Sequence, residues 1–332
     1  MSAGLALVTG GAGFIGSHLV TALLDRGWRV RVLDDLSTGS RANLAHLDGD
    51  GDADGDAGAI DFVEGSVVDP ATCARAVEGV RTVFHQAAIP SVPRSVADPA
   101  ATHAACATGT LNILDAARRG GVERFVYAAS SSAYGDTVTL PKREADTGTP
   151  KSPYAVAKLA GEHYCAAWHA VWGLETVALR YFNVFGPRQD PDSPYAAVVP
   201  LFVRHALAGT APTIDGDGEQ TRDFTHVSNA VHANLLAAER PAERVAGRVF
   251  NVGCGERISI NRLWAEVRRL TGARVEAVHG PARAGDVRDS LASLEAARAD
   301  LGYEVRTPLA RGLEDTVAWL RRMGEGEQLA PS

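Results

Sequence analysis

The chain has 332 residues, of which 45% are hydrophobic, and a formal net charge of −7 at pH 7. This length supports one large or two moderate domains with a full core, and the absence of a basic stripe argues against a nucleic-acid-binding surface. Four cysteines without a C-x-x-C pair predict buried thiols rather than a metal site. A strand that starts within five residues of the N-terminus, with no apolar run of membrane-spanning length, predicts a cytoplasmic protein.

The first predicted elements are a strand, a glycine turn and a helix. Leu5–Thr9 is apolar, Gly10, Gly13 and Gly16 follow at a spacing of three, and residues 17–24 continue with helical periodicity. Such glycines allow a tight turn and close approach of a pyrophosphate, which the helix N-terminus attracts. The pattern predicts a dinucleotide site. The alternative is a flavodoxin-like fold in which the turn serves only helix–sheet packing.

Two acidic residues follow the second predicted strand, Arg29–Leu33, about twenty residues after the turn. A carboxylate at Asp34 or Asp35 accepts a hydrogen bond from a free ribose 2′-OH and repels a 2′-phosphate. These residues therefore predict NAD rather than NADP as the cofactor.

An aspartate- and glycine-rich segment, residues 48–58, follows a short predicted helix at 41–46. Asp50, Asp52, Asp54 and Asp61 imitate the ligand spacing of a calcium-binding EF-hand loop. No amphipathic helices flank the segment and Asp replaces the bidentate Glu, so the preferred interpretation is a solvated surface insertion.

Strands and helices then alternate, which predicts parallel βαβ units in a doubly wound sheet. The predicted strands are 60–64, 82–85 and 124–129, and the predicted helices are 71–77 and 99–119. Ligands gather at the carboxyl ends of parallel strands. The polar residues at those ends, Gln86 and Ser130, Ser131 and Ser132, are therefore candidate site residues.

A long helix is predicted from Pro153 to Trp172, with Ser152 as its N-cap. Tyr154 and Lys158 are four residues apart and share one face of that helix. An ammonium beside a phenol favours the phenolate, which suits proton transfer. A half-buried tyrosine beside a snorkelling lysine is the structural alternative, but the dinucleotide pattern upstream favours the catalytic interpretation.

A sixth strand, 176–180, ends the regular alternation, and turn-rich polar segments follow. Arg188, Arg222 and Arg283 are candidate diphosphate ligands, with surface ion pairs as the alternative. Helices are predicted at 260–270, 291–301 and 308–323, and a strand at 275–278. We expect a dinucleotide-binding domain over 1–180, to which 225–255 returns, and a substrate lobe formed mainly by 181–332.

Three segments together resemble the extended short-chain dehydrogenase/reductase family: VTGGAGFIGSHLV, YAVAK and RYFNVFGPRQ. Their order and spacing cover nearly the whole chain. Within that family the chain is most similar to the UDP-hexose 4-epimerases. The segments GDGEQTRDFTHV and PARAGDVRDSLAS resemble the branch that acts on UDP-N-acetylglucosamine and UDP-N-acetylgalactosamine.

The resemblance implies a role for each matching position. Tyr154 would be the acid/base at the sugar 4-hydroxyl, Lys158 would bind the nicotinamide ribose and lower the pKa of Tyr154, and Ser130 would hydrogen-bond O4. Hydride would pass from C4 to bound NAD and return to the other face of a 4-keto sugar. The implied NAD-binding residues are Gly10, Gly13, Phe14, Ile15, Gly16, Asp34, Asp35, Ser66, Val67, Gln86, Ala87, Ala88, Tyr154 and Lys158. The implied UDP-sugar-binding residues are Ser91, Ser131, Ser132, Asn183, Ala197, Val198, Arg222, Arg283, Asp286 and Ser290.

Particular positions distinguish subfamilies by this resemblance. Dehydratases carry an Asp-Glu pair where this chain has Ser131 and Ser132, and decarboxylases carry Glu at the second position. Small Ser290 replaces a bulky tyrosine of epimerases restricted to non-acetylated sugars, so it leaves room for an acetamido group without excluding UDP-glucose. Pro90 replaces a cofactor-binding lysine, which fits the N-acetyl branch, and Ser66 replaces an adenine-contacting aspartate.

The resemblance also implies a homodimer. The residues of the predicted site do not indicate a metal ligand set. Two alternatives remain open within enzymes, a UDP-glucose-preferring 4-epimerase and a UDP-glucuronate epimerase. An NAD-binding regulator without catalytic activity is the alternative from another class.

Overall fold

The computed structural model of the chain describes residues 4–47, 60–135, 137–193, 195–282 and 287–328. Among these residues, no helix has the length and apolar character needed to cross a membrane. The aspartate-rich segment 48–58 lies outside the described residues, so the calcium hypothesis stays untested there. Asp61 lies in a strand, where its carboxylate pairs with Arg31 at 2.6 Å.

The strands and helices follow the predicted alternation through the first half of the chain. The strands are β1 (Leu5–Thr9), β2 (Arg29–Asp34), β3 (Ile60–Glu64), β4 (Thr82–His85), β5 (Arg124–Ser130), β6 (Glu175–Tyr181), β7 (Val184–Phe185), β8 (Thr213–Asp215), β9 (Thr221–Arg222), β10 (Thr225–His226), β11 (Arg248–Val252), β12 (Ile258–Ser259) and β13 (Val278–Gly280). The helices are α1 (Phe14–Leu24), α2 (Pro70–Ala76), α3 (Val92–Ala97), α4 (Pro99–His103), α5 (Gly109–Arg119), α6 (Pro153–Trp172), α7 (Val198–Ala208), α8 (Val227–Glu239), α9 (Ala242–Val245), α10 (Ile260–Thr271) and α11 (Leu309–Gln328).

Seven parallel strands form the central sheet in the order β11-β6-β5-β4-β1-β2-β3. Successive side chains of a strand point to opposite faces, so in β5 Val126 belongs to one core layer and Phe125 to the other. Helices α1 and α8 cover the first face, and α2, α5 and α6 cover the second. The predicted doubly wound α/β fold is confirmed.

A smaller C-terminal lobe is built around α7, α10 and α11. Phe202, Trp264 and Leu313 from these helices share one buried cluster. Three two-stranded ladders, β7 with β10, β8 with β13 and β9 with β12, complete this lobe. Strand β11 and helix α8, which are late in sequence, belong to the central sheet and its cover.

Several predicted bounds are wrong. Residues 291–294 are not helical, because Leu291 and Ser293 bond to the backbone of Lys142 at 2.7 and 2.8 Å, and the helical turns begin at Glu295. The strand predicted at 275–278 begins only at Val278, where pairing with β8 starts. The short helix at 41–46 is two 3₁₀ turns, and the helix at 99–119 contains a π-helical turn over Ala104–Thr108.

Candidate active site

The glycine turn between β1 and α1 has the geometry of a phosphate cradle. Gly10 has φ +67°, and a Cβ there would lie 2.7 Å from the Ala87 backbone nitrogen. A Cβ on Gly16 would lie 2.0 Å from the Gly10 carbonyl oxygen. Gly13 caps α1 without any side-chain hydrogen bond to the first turn. The N–H groups of that turn are therefore available to an anion at the positive end of the helix dipole.

The two aspartates after β2 lie beside this turn. The Asp34 carboxylate accepts hydrogen bonds from the backbone nitrogens of Ala12 at 2.9 Å and Leu36 at 2.8 Å. Burial raises the pKa of Asp34, against these two bonds. Burial acts the same way on Asp35, but bonds from Ser37 and Ser66 outweigh it and hold its pKa below the usual value. Carboxylates at this position suit ribose hydroxyls and disfavour a 2′-phosphate.

Gln86, at the end of β4, is fixed by a network that the sequence did not reveal. Its amide nitrogen donates to Asn234 at 3.0 Å, and its carbonyl oxygen accepts from the Tyr181 hydroxyl at 3.2 Å. Asn234 in turn donates to Tyr181 at 2.6 Å, which closes a triangle. Tyr181 ends β6 and lies in the cleft lining, so the rule that ligands gather at strand ends could have identified it.

Tyr154 and Lys158 lie on the face of α6 that looks into the same cleft. Lys158 is 3% exposed and donates from Nζ to the Ala128 carbonyl at 2.8 Å. Burial lowers the pKa of Lys158 and raises that of Tyr154, while a hydrogen bond with the Ser130 hydroxyl lowers the pKa of Tyr154. The π-helical turn packs against α6 beside Tyr154. The arrangement presents one phenol, supported by a serine and a nearby cation, for proton transfer.

One cleft of about 820 Å³ at the carboxyl ends of the strands joins these groups. Such a volume is typical of a site for a ligand of drug size or larger. Of the predicted site residues that the structure describes, all line this cleft except Arg188, Ala197 and Val198. Ala197 and Val198 lie at the start of α7, where Val198 packs into the C-terminal lobe. Arg283 and Asp286 lie outside the described residues.

The substrate side of the cleft carries Asn183, Arg222 and Ser290. Asn183 donates from its amide to the Asp223 carbonyl at 3.2 Å, and Arg222 donates to the carbonyl of Thr221 at 2.8 Å. Arg188 does not line the cleft, because its guanidinium is directed to Thr21 at 3.3 Å and to His46. The predicted contact of Arg188 with a phosphate is therefore not supported by its position in the structure.

The cleft lining also includes residues that the sequence analysis missed. The polar ones among them are Ser37, Thr38, Tyr134, Lys142, Tyr181 and Gln189. Lys142 is almost fully buried and donates to the Thr137 carbonyl. It comes from an irregular segment without periodicity, so no local pattern could have placed it in the cleft.

Comparison with known proteins finds relatives among the nucleotide-sugar epimerases and dehydratases. A profile of the NAD dependent epimerase/dehydratase family matches residues 6–253. A UDP-glucose 4-epimerase of Mycolicibacterium smegmatis is 37% identical over 96% of this chain and 99% of its own. The structure is similar to the UDP-N-acetylglucosamine 4-epimerase of Methanobrevibacter ruminantium M1 in complex with UDP-N-acetylmuramic acid, with a TM-score of 0.88, 35% identity and coverage of 97% and 100%. It is also similar to a dTDP-glucose 4,6-dehydratase of Streptomyces venezuelae with NAD bound, with a TM-score of 0.87, 31% identity and coverage of 96% and 97%.

Proposed function

This chain belongs to the NAD dependent epimerase/dehydratase family, and we propose that it interconverts the C4 epimers of UDP-sugars with NAD as a resident cofactor. The observation that carries the proposal is the meeting of Tyr154, Lys158 and Ser130 in the cleft that begins at the glycine turn. The proposed substrates are UDP-N-acetylglucosamine and UDP-N-acetylgalactosamine, together with UDP-glucose and UDP-galactose.

The residues at the turn fit NAD. Gly10 and Gly16 allow a tight backbone turn that a Cβ would obstruct, and the uncapped start of α1 offers N–H groups to a diphosphate. Asp34 provides a carboxylate for ribose hydroxyls. When bound, NAD supplies the hydride acceptor and donor for the sugar C4.

The chain's own residues supply the proton chemistry. The Tyr154 phenolate takes the proton of the sugar 4-hydroxyl as C4 is oxidised and returns it when C4 is reduced on the other face. We expect Lys158, one turn further along α6, to favour the phenolate through its positive charge. A hydrogen bond with Ser130 also lowers the pKa of Tyr154. The keto sugar turns over within the cleft between the two steps.

The titratable groups of the cleft favour epimerisation over dehydration. Among described residues, the only carboxylates in the lining are Asp34 and Asp35, beside the glycine turn. Ser131 and Ser132 occupy the positions next to Ser130, and their hydroxyls do not transfer protons efficiently at neutral pH. Elimination across C5 and C6 requires a further acid and base, which the described residues on this side of the cleft do not offer.

Ser290 supports acceptance of the acetamido group, because its small side chain lines the substrate side of the cleft. The assay incubates the purified protein with UDP-N-acetylglucosamine, UDP-glucose or UDP-glucuronate and resolves the 4-epimers by chromatography. We expect conversion of the first two. The variant Ser290→Tyr should no longer convert UDP-N-acetylglucosamine but should still convert UDP-glucose. The variant Tyr154→Phe should lose about 10²–10⁴-fold in both while it still binds NAD.

Other outcomes correct the proposal. Conversion of UDP-glucose alone assigns the chain to the galactose-type epimerases, and conversion of UDP-glucuronate alone makes it a uronate epimerase. NAD binding without conversion of any substrate favours a regulator. Retained activity in Tyr154→Phe removes the tyrosine from the mechanism.

We further propose a homodimer that forms through the exposed face of α6. The only charged residues of this helix, Lys158 and Glu162, are buried, whereas Val156 and Val171 are 55% and 66% exposed. Exposed Ala167 lies between them on the surface. An exposed helix face without Lys, Arg, Asp or Glu side chains allows self-complementary packing about a two-fold axis. Light scattering should give the dimer mass for the native chain and the monomer mass for Ala167→Glu; a monomeric native chain contradicts this proposal.

A further inference from the structure

Asp223 is a buried acid that the proposed chemistry does not use. It is 0% exposed, and its carboxylate accepts three backbone N–H groups. Oδ1 accepts from Cys254 at 2.8 Å, and Oδ2 accepts from Gly255 at 3.0 Å and from Ala292 at 3.1 Å. One side chain therefore joins two segments that are distant in sequence from it and from each other.

The bond to Ala292 replaces a backbone bond of a short parallel ladder. Thr221 donates to the Arg288 carbonyl at 3.0 Å and accepts from the Ser290 nitrogen at 3.1 Å. In a regular parallel ladder the next donor, the Ala292 nitrogen, bonds to the carbonyl of residue 223. Here it bonds to the carboxylate of Asp223 instead.

Because the carboxylate accepts the Ala292 N–H group, the backbone carbonyl of Asp223 is left for another donor. That carbonyl accepts the side-chain amide of Asn183 at 3.2 Å. Asn183 lines the substrate side of the cleft, as do Arg222, the residue before Asp223, and Ser290, in the segment that the carboxylate holds. Hydrogen bonds of Asp223 and its place in the chain thus fix the positions of Asn183, Arg222 and Ser290 relative to one another.

The surroundings are shaped for a carboxylate. A Cβ on Gly253 would lie 2.8 Å from Oδ2 of Asp223, so the glycine allows the approach. Burial raises the pKa of Asp223 to about 6, against the three backbone bonds, and the charge of Glu256 acts in the same direction as burial. At neutral pH the ionised form, with four lone-pair positions for three donors, satisfies every N–H group directed at it.

We infer that Asp223 is a positioning residue for the UDP-sugar half of the cleft, which holds Asn183, Arg222 and Ser290 in register for the nucleotide diphosphate and sugar. The inference rests on the proposed function. Replacing Asp223 by Asn places an NH₂ group against backbone donors and leaves at least one buried N–H unsatisfied. We expect the variant to lose affinity for the substrate and not for NAD, because no described hydrogen bond of the Asp223 side chain reaches the glycine turn.

The test measures dissociation constants of UDP and of NAD by calorimetry for the native chain, Asp223→Asn and a control, Asp217→Asn. Asp217 lies in the same lobe but is 57% exposed and pairs with Arg288 at the surface. We expect Asp223→Asn to bind UDP about tenfold more weakly and to bind NAD within about twofold of the native value, with little change in the control. Equal losses for both ligands, or unchanged UDP binding, overturn the inference.

Amide hydrogen exchange of the native chain provides a measurement that needs no variant. UDP binding and the three hydrogen bonds to the Asp223 carboxylate should stabilise each other reciprocally. UDP should therefore slow exchange at Cys254, Gly255 and Ala292, whereas NAD should not. No slowing by UDP overturns the inference. A native chain that fails to bind UDP refutes the proposed function and this inference together, whereas UDP binding without the predicted effects refutes the inference alone.

Discussion

A buried ion pair between α6 and β6 gives a sharp test of how the catalytic helix is held. Arg180 donates to Glu162 through Nε at 2.9 Å and Nη2 at 2.7 Å, and the two side chains are 3% and 4% exposed. Glu162 lies one turn after Lys158 on α6. Arg180 also donates to the Glu144 carbonyl at 2.9 Å. Because neither charge reaches water, each depends on the other for compensation.

Replacing one partner should therefore lower the free energy of unfolding much more than replacing both. We expect Glu162→Met to lower the free energy of unfolding by about 3–5 kcal/mol, because it leaves a buried guanidinium without its counter-charge. The variant Arg180→Met should cost a similar amount. The double variant should lie within about 2 kcal/mol of the native chain, since two methionines of similar volume carry no charge to desolvate.

Urea unfolding followed by far-ultraviolet circular dichroism, without added cofactor, measures these differences. Glu314→Met is the control, because Glu314 is 48% exposed and its pair with Arg311 should contribute less than about 1 kcal/mol. Two results refute the reasoning. One is a loss below about 1 kcal/mol for Glu162→Met, and the other is a double variant as unstable as the sum of the single ones.

Three further predictions test the cofactor turn and the buried acid. Gly16→Ala should abolish NAD binding, because its Cβ would lie 2.0 Å from the Gly10 carbonyl oxygen, and an NAD titration checks this. Its control, Gly324→Ala on an open helix surface, should raise the free energy of unfolding by up to about 1 kcal/mol, as measured by urea unfolding. Asp34→Ser should narrow the preference for NAD over NADP, measured as the ratio of dissociation constants; an unchanged ratio contradicts the assignment. Burial raises the pKa of Asp223 from 3.8 to about 6, so the folded state binds the proton of this carboxyl more tightly than the unfolded state does. Protonation of Asp223 therefore stabilises the fold below about pH 4, and this stabilisation is lost as the pH rises through 6. Between pH 7 and pH 4 the native chain should gain about 2 kcal/mol over Asp223→Asn in the free energy of unfolding, and a constant difference contradicts this.

Much of the sheet could be predicted because its determinants are local. The bounds of β1, β3 and β4 are those expected from runs of apolar residues between turn residues. The same holds for α6, which has Ser152 as its N-cap, with the hydroxyl accepting from the Ala155 nitrogen at 3.1 Å. The rule that ligands gather at strand ends then identified Gln86 and Ser130 as cleft residues without any knowledge of tertiary contacts.

Local periodicity failed where distant segments compete for the same backbone groups. Residues 291–294 have an amphipathic pattern, yet their hydrogen bonds go to Lys142 and Asp223, about 150 and 70 positions away in the chain. Ala197 and Val198 matched a family position but lie outside the cleft lining. A match of residue type carries no information about where a loop directs its side chains.

The sequence by itself determined the doubly wound sheet, the glycine turn and the placement of Tyr154 and Lys158 on one helix face, because each depends on spacing within a few residues. Only the tertiary structure decided that Lys142 lines the cleft and that Asp223 joins two segments that are distant from it in sequence. Those contacts depend on how the C-terminal lobe packs against the sheet. Hydrogen bonds between segments far apart in the chain leave no periodic pattern in the sequence of either one.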